Sequence, residues 1–488
     1  MAHRPFIAVA AAAAALRAVV MLGYPPIMWF NDSYNYVTDA VGGVPDPARP
    51  AGYAFFLKLL LPFHSLTLVA ALQAAMGLAT GTIIYAVLRR RGLPWWGATL
   101  AALPVLFDAF ELQLEHMVMS DVLFIFLVTT AIAMLCWSRR PRVPVAAVAG
   151  LMIGCAATVR AVGLPLLAVL AAGLLLRRAG WLRSSAAVAA GIVPVAGYMV
   201  WFHGTYGQYA MDEATGAFLY SRVSSFAECA KIKPPPSLRP LCDPRPPADR
   251  PNSQEYLWST NTPLWQVSNG PRATPHIDGN QFTERVNRLT KQFAERAILA
   301  QPLAYLRVAA RDTLRTFTWA RVPSDVAGSG PAFQFRQTIQ PLPWWVTYYP
   351  QVKTAVLRYG GPSMGQPKVV SPYAGFLQDY EKYVYLRGTI LGLIVLAGAA
   401  GVAARWRSLG GMVLLPWAAG VALIVVPPMT AGFSYRYVLA AVPVTCLAAG
   451  LAASRRQGTA PHEVPERAAL AHQPAPRPQA ERLWSPRP

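Results

Sequence analysis

Several ionisable residues stand beside long apolar runs, where a charge is costly and so marks a candidate site. They are Asp32 and Asp39 in "NDSYNYVTDA", Glu111, Glu115, His116 and Asp121 ahead of "VLFIFL", Arg160 in "TVRAVGLP" and Arg436 in "FSYRYVLAAVP". Asp32 has the chemistry of a general base, taking a proton from a hydroxyl as that hydroxyl attacks. The same stretch reads equally as a helix cap, with Asn31, Asp32 or Ser33 opening a short helix at Tyr34. Arg436, between Tyr435 and Tyr437, offers a planar fork for phosphate oxygens, or an interfacial anchor whose head reaches water. Arg160 suits the same anion, or a bridge to Asp121 or Glu115. Asp121 opens an apolar run, so it either caps that helix against its dipole or holds an arginine or a metal near the site. Arg17, inside the first apolar run, raises the same question. Glu115 and His116 have ligand chemistry, but neighbours on a helix point in different directions, so a divalent metal there rests on residue type alone.

The elements that must position these residues are apolar. Of 488 residues 54% are hydrophobic and 14% charged, where soluble domains carry roughly 25% charge. Apolar runs recur near 5–23, 64–88, 94–110, 117–137, 143–159, 161–176, 184–203, 384–404, 409–429 and 437–453. Most approach the roughly 20 residues that cross a bilayer, so the expected fold class is an α-helical multi-pass membrane protein of about ten spans. A net charge of +21 would point a soluble protein to nucleic acid. Here the basic residues gather at 89–91, 139–142, 177–178, 405–407 and 455–456, in alternate loops, and nucleic acid is not a partner. The positive-inside bias makes those loops and both termini cytoplasmic in a cell membrane, and it puts the unexplained charges at the outer face. The first run is read as a retained span rather than a cleaved signal, because Arg17 interrupts it. Arg in preference to Lys, with abundant Ala and Pro, is the usage of a high-GC bacterial genome.

The outer segments differ in size. Loop 24–63 carries Asp32 and the Pro-rich "VPDPARPAGY"; segment 204–383 is far too long for a connector. It is expected to form a small mixed extracytoplasmic domain, with amphipathic helices on either side of Pro302. The organisation is then 1–203 as an N-terminal transmembrane module, 204–383 outside, 384–454 as C-terminal membrane helices, and 455–488 as a disordered cytoplasmic tail. Cys229 and Cys242 flank "KIKPPPSLRP" in the oxidising exterior, which favours a structural disulfide over two free thiols.

In order along the chain, "NDSYNYVTDA", "RPAGYAFFLKLL", "LEHMVMSDVLFIFL", "TVRAVGLPLL" and "SYRYVLAAVPV" together resemble the GT-C superfamily of membrane glycosyltransferases. That class includes bacterial protein O-mannosyltransferases and the lipid A aminoarabinose transferase. The resemblance covers about 1–207 and 384–453, and leaves most of the outer segment unmatched. It implies Asp32 as catalytic base and a polyprenyl-phosphate-linked sugar as donor. Arg436, Arg160, Tyr437, Asp121 and Arg17 would be on the substrate side, and the acceptor hydroxyl would lie outside the bilayer. Relatives often carry an acidic pair where this chain has Asn31 and Asp32, so the resemblance assigns no metal. Two other classes fit a multi-pass body: a transporter or lipid flippase, and a non-catalytic cell-envelope scaffold. A transporter would show paired repeats, and none is legible.

Overall fold

Alanine and leucine favour helix, and a bilayer leaves helix as the way for a single apolar segment to satisfy its backbone. The computed structural model describes residues 3–259, 261–268, 282–321, 333–339 and 341–454. Among these residues the one extended pairing is a single bridge between Met28 and Met117. The first part runs α1 (Arg4–Gly23), α2 (Asn31–Gly42), α3 (Gly52–Leu60), α4 (Leu66–Arg90), α5 (Trp95–Phe107) and α6 (Ala109–Glu115). It continues through α7 (Asp121–Trp137), α8 (Val143–Val159), α9 (Gly163–Leu176) and α10 (Trp181–Tyr206). Next come α11 (Thr215–Ser224), α12 (Cys229–Ile232), α13 (Ser253–Trp258), α14 (Pro263–Val267), α15 (Glu284–Ala300) and α16 (Pro302–Arg315). The rest is α17 (Trp344–Tyr348), α18 (Pro350–Gly360), α19 (Tyr373–Tyr383), α20 (Gly388–Ala403), α21 (Leu414–Thr430), α22 (Tyr435–Leu439) and α23 (Val442–Ala453).

Among the described residues, four stretches are long and apolar enough to cross a membrane: α1, α4, α10 and Tyr435–Ala453. Counting the bent pairs α5–α6 (56°) and α19–α20 (58°) as one span each gives up to six. Helices α7, α8, α9 and α21 are apolar but shorter, at 17, 17, 14 and 17 residues. Several of the runs read as spans extend past their helix, into the bridge and bends at 117–120 and into turns at 161–162 and 409–413.

Close approach between helices relies on small residues, since lipid supplies no hydrophobic drive between them. A Cβ on Gly150 of α8 would stand 1.9 Å from the Ala187 carbonyl oxygen of α10, and one on Gly154 would stand 2.1 Å from that of Gly191. The α8–α10 seam therefore depends on glycine.

Apolar burial falls into two cores. The larger joins α1–α10 to α17–α23; the smaller collects Ala217, Tyr220, Tyr256, Trp265 and Phe293 of segment 204–383 around Ala48 of the first loop. Segment 204–383 is thus divided: Trp345, Val356, Tyr359 and Leu377 belong to the larger core. Its described residues hold no strand, so the domain expected to be mixed is helical there. The helices on either side of Pro302 are α15 and α16. Phe293 and Ala297 of α15 turn inward, whereas α16 buries Ala309 and Asp312 and leaves Leu303, Leu306 and Leu314 exposed. Cys229 and Cys242 are joined by a disulfide beside the smaller core. The expected tail, 455–488, lies outside the described residues.

Arg17 is a tie between helices. Its Nη2 donates to Glu115 Oε1 at 2.6 Å and its Nη1 to the Leu106 carbonyl at 2.9 Å, both within the core. Gly77 of α4 leaves the room, because a Cβ there would lie 1.7 Å from Glu115 Oε1. Arg17 is 4% exposed and Glu115 1%, so removing one partner strands the other in the core. Glu115→Ala should destabilise the protein by about 3–5 kcal/mol, read as a lowered Tm in detergent. Arg17→Met with Glu115→Leu should recover most of that loss, and an unchanged Tm in Glu115→Ala would contradict the reading.

Candidate active site

The first loop is fastened before it reaches Asp32. Met28 N donates to the His116 carbonyl at 2.9 Å, Val118 N returns a bond to Met28 O at 3.2 Å, and Trp29 Nε1 donates to Gly365 O at 2.7 Å. Helix α2 then starts at Asn31. Ser33 Oγ accepts the Phe30 N–H at 2.9 Å and does the work of a cap. Asp32 lies in the first turn, and its carboxylate turns instead toward two guanidiniums. Arg49 Nη1 is 2.6 Å from Oδ1 and Arg436 Nη1 is 3.3 Å from Oδ2. Burial alone would push the Asp32 carboxyl up, but Arg49 and Arg436 together hold it below the ordinary carboxylate value.

Behind Asp32 a second carboxylate gathers the same cations. Asp121, at the start of α7, is paired with Arg160, and its Oδ1 is 3.6 Å from Arg436 Nε. Tyr437 presents its ring to both arginines, with centroids 5.1 Å from the Arg160 guanidinium and 5.3 Å from that of Arg436. Phe30 and Phe333 close over Arg436 at 5.8 and 6.0 Å. Asp121 is 2% exposed, while Arg160 and Arg436 keep 14% and 12% of their side chains open. The carboxylate is buried support and the guanidiniums are the accessible faces.

All of these groups except Asp121 line a cavity of about 1150 Å³. Its walls differ in chemistry. Asp32, Arg49, Arg160 and Arg436 form a charged wall, and Leu164, Pro165, Leu423, Val426 and Pro427 form an apolar one between α9 and α21. Asn35, Asp39 and Asp46 continue the polar lining along α2 and its loop, and Phe218 and Trp258 reach in from the smaller core. Such a space suits a ligand with an anionic centre, an apolar tail and a polar head.

Sequence and structure agree on some residues and part on others. Asp32, Arg160, Arg436 and Tyr437 converge on the cavity, with Asp121 behind its wall. Arg17 does not line the cavity; its interhelical role removes it from the substrate-side group. Glu115 and His116 do not converge on a common point either. Glu115 holds Arg17, and His116 Nε2 lies 2.8 Å from the Tyr24 carbonyl, which only accepts, so that nitrogen donates. Among the described residues no cluster of three His, Cys, Asp or Glu side chains could hold a metal ion. Sequence reading missed Arg49. The available signal was an Asp46–Arg49 pair inside an otherwise Pro-rich loop, and Asp46 Oδ2 does lie 3.4 Å from Arg49 Nε.

No protein-family model matches the chain, and no curated protein matches it. Two solved structures resemble it in part. One is the S. cerevisiae protein O-mannosyltransferase Pmt1–Pmt2 complex bound to the sugar donor, with 17% identity and a TM-score of 0.34, covering 45% of this chain and 35% of that one. The other is ArnT from Cupriavidus metallidurans bound to undecaprenyl phosphate, with 12% identity and a TM-score of 0.37, covering 92% of this chain and 78% of that one.

The Asp121 pairings carry a stability prediction. Asp121→Asn leaves Arg160 and Arg436 without their shared carboxylate and should cost about 3–5 kcal/mol, seen as a lower Tm in detergent. A neutral effect would mean that Asp32 alone supports both guanidiniums.

Proposed function

We propose that the protein is an integral membrane glycosyltransferase of GT-C type that moves a sugar from a polyprenyl-phosphate donor to a hydroxyl outside the bilayer. The observation that carries this reading is Asp32 held against Arg49 and Arg436 on the wall of a cavity whose neighbouring wall is apolar. The apolar wall would take the isoprenoid chain, and Arg436 and Arg160 the phosphate, as bidentate donors. Sugar nucleotides are made inside the cell, so an outward-facing site needs a donor delivered through the membrane. Adding α7, α8, α9 and α21 to the longer helices brings the span count to about ten, with both termini in the cytoplasm and segment 204–383 largely outside.

In this mechanism the acceptor oxygen attacks the anomeric carbon as the bond from that carbon to the phosphate oxygen breaks. Asp32 takes the acceptor's proton, the phosphate leaves with the electron pair, and the anomeric configuration inverts. The guanidiniums stabilise charge as it builds on the leaving phosphate. Arriving phosphate competes with Asp32 for Arg436, so donor binding relieves part of the field that keeps Asp32 acidic. The base is thereby strengthened in the complex that needs it. Arg49 stays with Asp32 and positions it. The acceptor is a glycan, lipid or protein, and its selection falls to the outer helices that reach the cavity.

A lipid transporter is the second reading, and the bends at α5–α6 and α19–α20 favour it, because broken spans are common in transporters. Proteoliposomes loaded with labelled polyprenyl-phosphate sugar separate the two, since transport moves the lipid without cleaving its sugar–phosphate bond. Asp32→Asn should lower transfer by about 10²- to 10⁴-fold, and Arg436→Ala by about 10²-fold or more. Equal transfer by all three proteins would sink the mechanism.

A pH profile tests Arg49. A carboxyl held below its ordinary value stays ionised as pH falls, so the acid limb of kcat/KM due to Asp32 should lie below the range of an ordinary aspartate. Removing a stabilising cation in Arg49→Ala raises that pKa, and the limb should move to higher pH. A limb unmoved by the substitution would show that Arg49 does not act on Asp32.

A further inference from the structure

Asp39 is a cavity-lining carboxylate that the mechanism leaves unused. It follows Asp32 by seven residues on α2, which puts both on one face of the helix, about 10 Å apart along its axis. Its Oδ2 is buried and accepts no hydrogen bond among the described residues. Two donors on this side of the cavity are committed elsewhere: Asn35 Nδ2 to Asp46 Oδ2 at 3.1 Å, and Arg49 to Asp32 and Asp46. Buried acceptors are normally satisfied, and the exceptions gather where a ligand completes them. Burial and the neighbouring Asp46 push the Asp39 carboxyl well above its ordinary value, and Arg49, committed to Asp32 and Asp46, offsets this only in part.

We infer that Asp39 recognises the sugar of the donor, its carboxyl pairing with ring hydroxyls while the phosphate lies on Arg160 and Arg436. The inference rests on the proposed transferase reading, which places the anomeric carbon between those arginines and Asp32. The ring then extends along the face of α2 toward Asp39. Asp39 is in this account a specificity residue, separate from the phosphate contacts and from the base.

The test compares binding of bare undecaprenyl phosphate with that of undecaprenyl-phosphate mannose and undecaprenyl-phosphate arabinose, for wild type and Asp39→Ala in detergent. Wild type should bind at least one sugar-bearing lipid more tightly than the bare lipid. Asp39→Ala should bind the bare lipid as wild type does, which also reports that the fold is intact, and should lose about tenfold or more of the sugar-dependent gain. Asp39→Asn, which keeps one acceptor oxygen, should fall between them. An equal gain in wild type and Asp39→Ala, or no gain in wild type, overturns the inference, as does a parallel loss of bare-lipid binding in Asp39→Ala. Failure of wild type to bind the bare lipid would instead strike the transferase reading beneath it.

Discussion

Guanidinium groups largely buried along a cavity wall must be matched by carboxylates, because charge is poorly screened where water is scarce. Here that requirement draws together residues remote in sequence. Asp32 and Arg436 are 404 positions apart, and Arg160 meets Asp121 across 39. Arg49 enters from the first loop, so α2, α7, the α8–α9 turn and α22 must all converge for the charges to balance. The ties at Met28, Trp29, Tyr206 and Glu213 are consistent with that demand, since Tyr206 donates to Pro45 O at 2.6 Å and Glu213 N to Pro47 O at 2.8 Å. They fasten the first loop to the α6–α7 turn, to Gly365, to the end of α10 and to the segment after it, and so hold Arg49 in place.

The same arrangement separates scaffold from chemistry. Asp121 supports the guanidiniums from behind, the Tyr437 ring flanks them at the cavity, Arg49 restrains the carboxylate, and open faces of Arg160 and Arg436 look into the cavity. An anion entering there meets preorganised donors and has no charge to rearrange except the Asp32 contact. In the proposed reaction that contact is the one that must change, which couples phosphate arrival to the basicity of Asp32.

Much of this was legible in the sequence, for physical reasons. A charge beside an apolar run is expensive, so Asp32, Asp121, Arg160 and Arg436 stand out by position, and the structure brings all four together at one cavity. Arg17 stood out equally and proved to be an interhelical tie, because cost marks a charge without naming its partner. Arg49 was hidden in a polar loop, where a charge costs little. On α16, helical spacing identified an apolar stripe but not its direction. In a membrane protein that stripe can face away from the core, and Leu303 at 76% exposure does so while Ala309 is buried. The described residues of segment 204–383 are helical where a mixed domain is expected, because turn residues and aromatics also fit short helices.

The central claim is that Arg160 and Arg436 hold a lipid-borne phosphate beside Asp32. A cryo-EM structure of the protein with bound undecaprenyl phosphate tests it most directly. The account predicts the phosphate within hydrogen-bonding distance of both guanidiniums, with the isoprenoid chain along Leu164, Leu423 and Val426. A phosphate bound elsewhere, with the Asp32–Arg436 contact undisturbed, would contradict it.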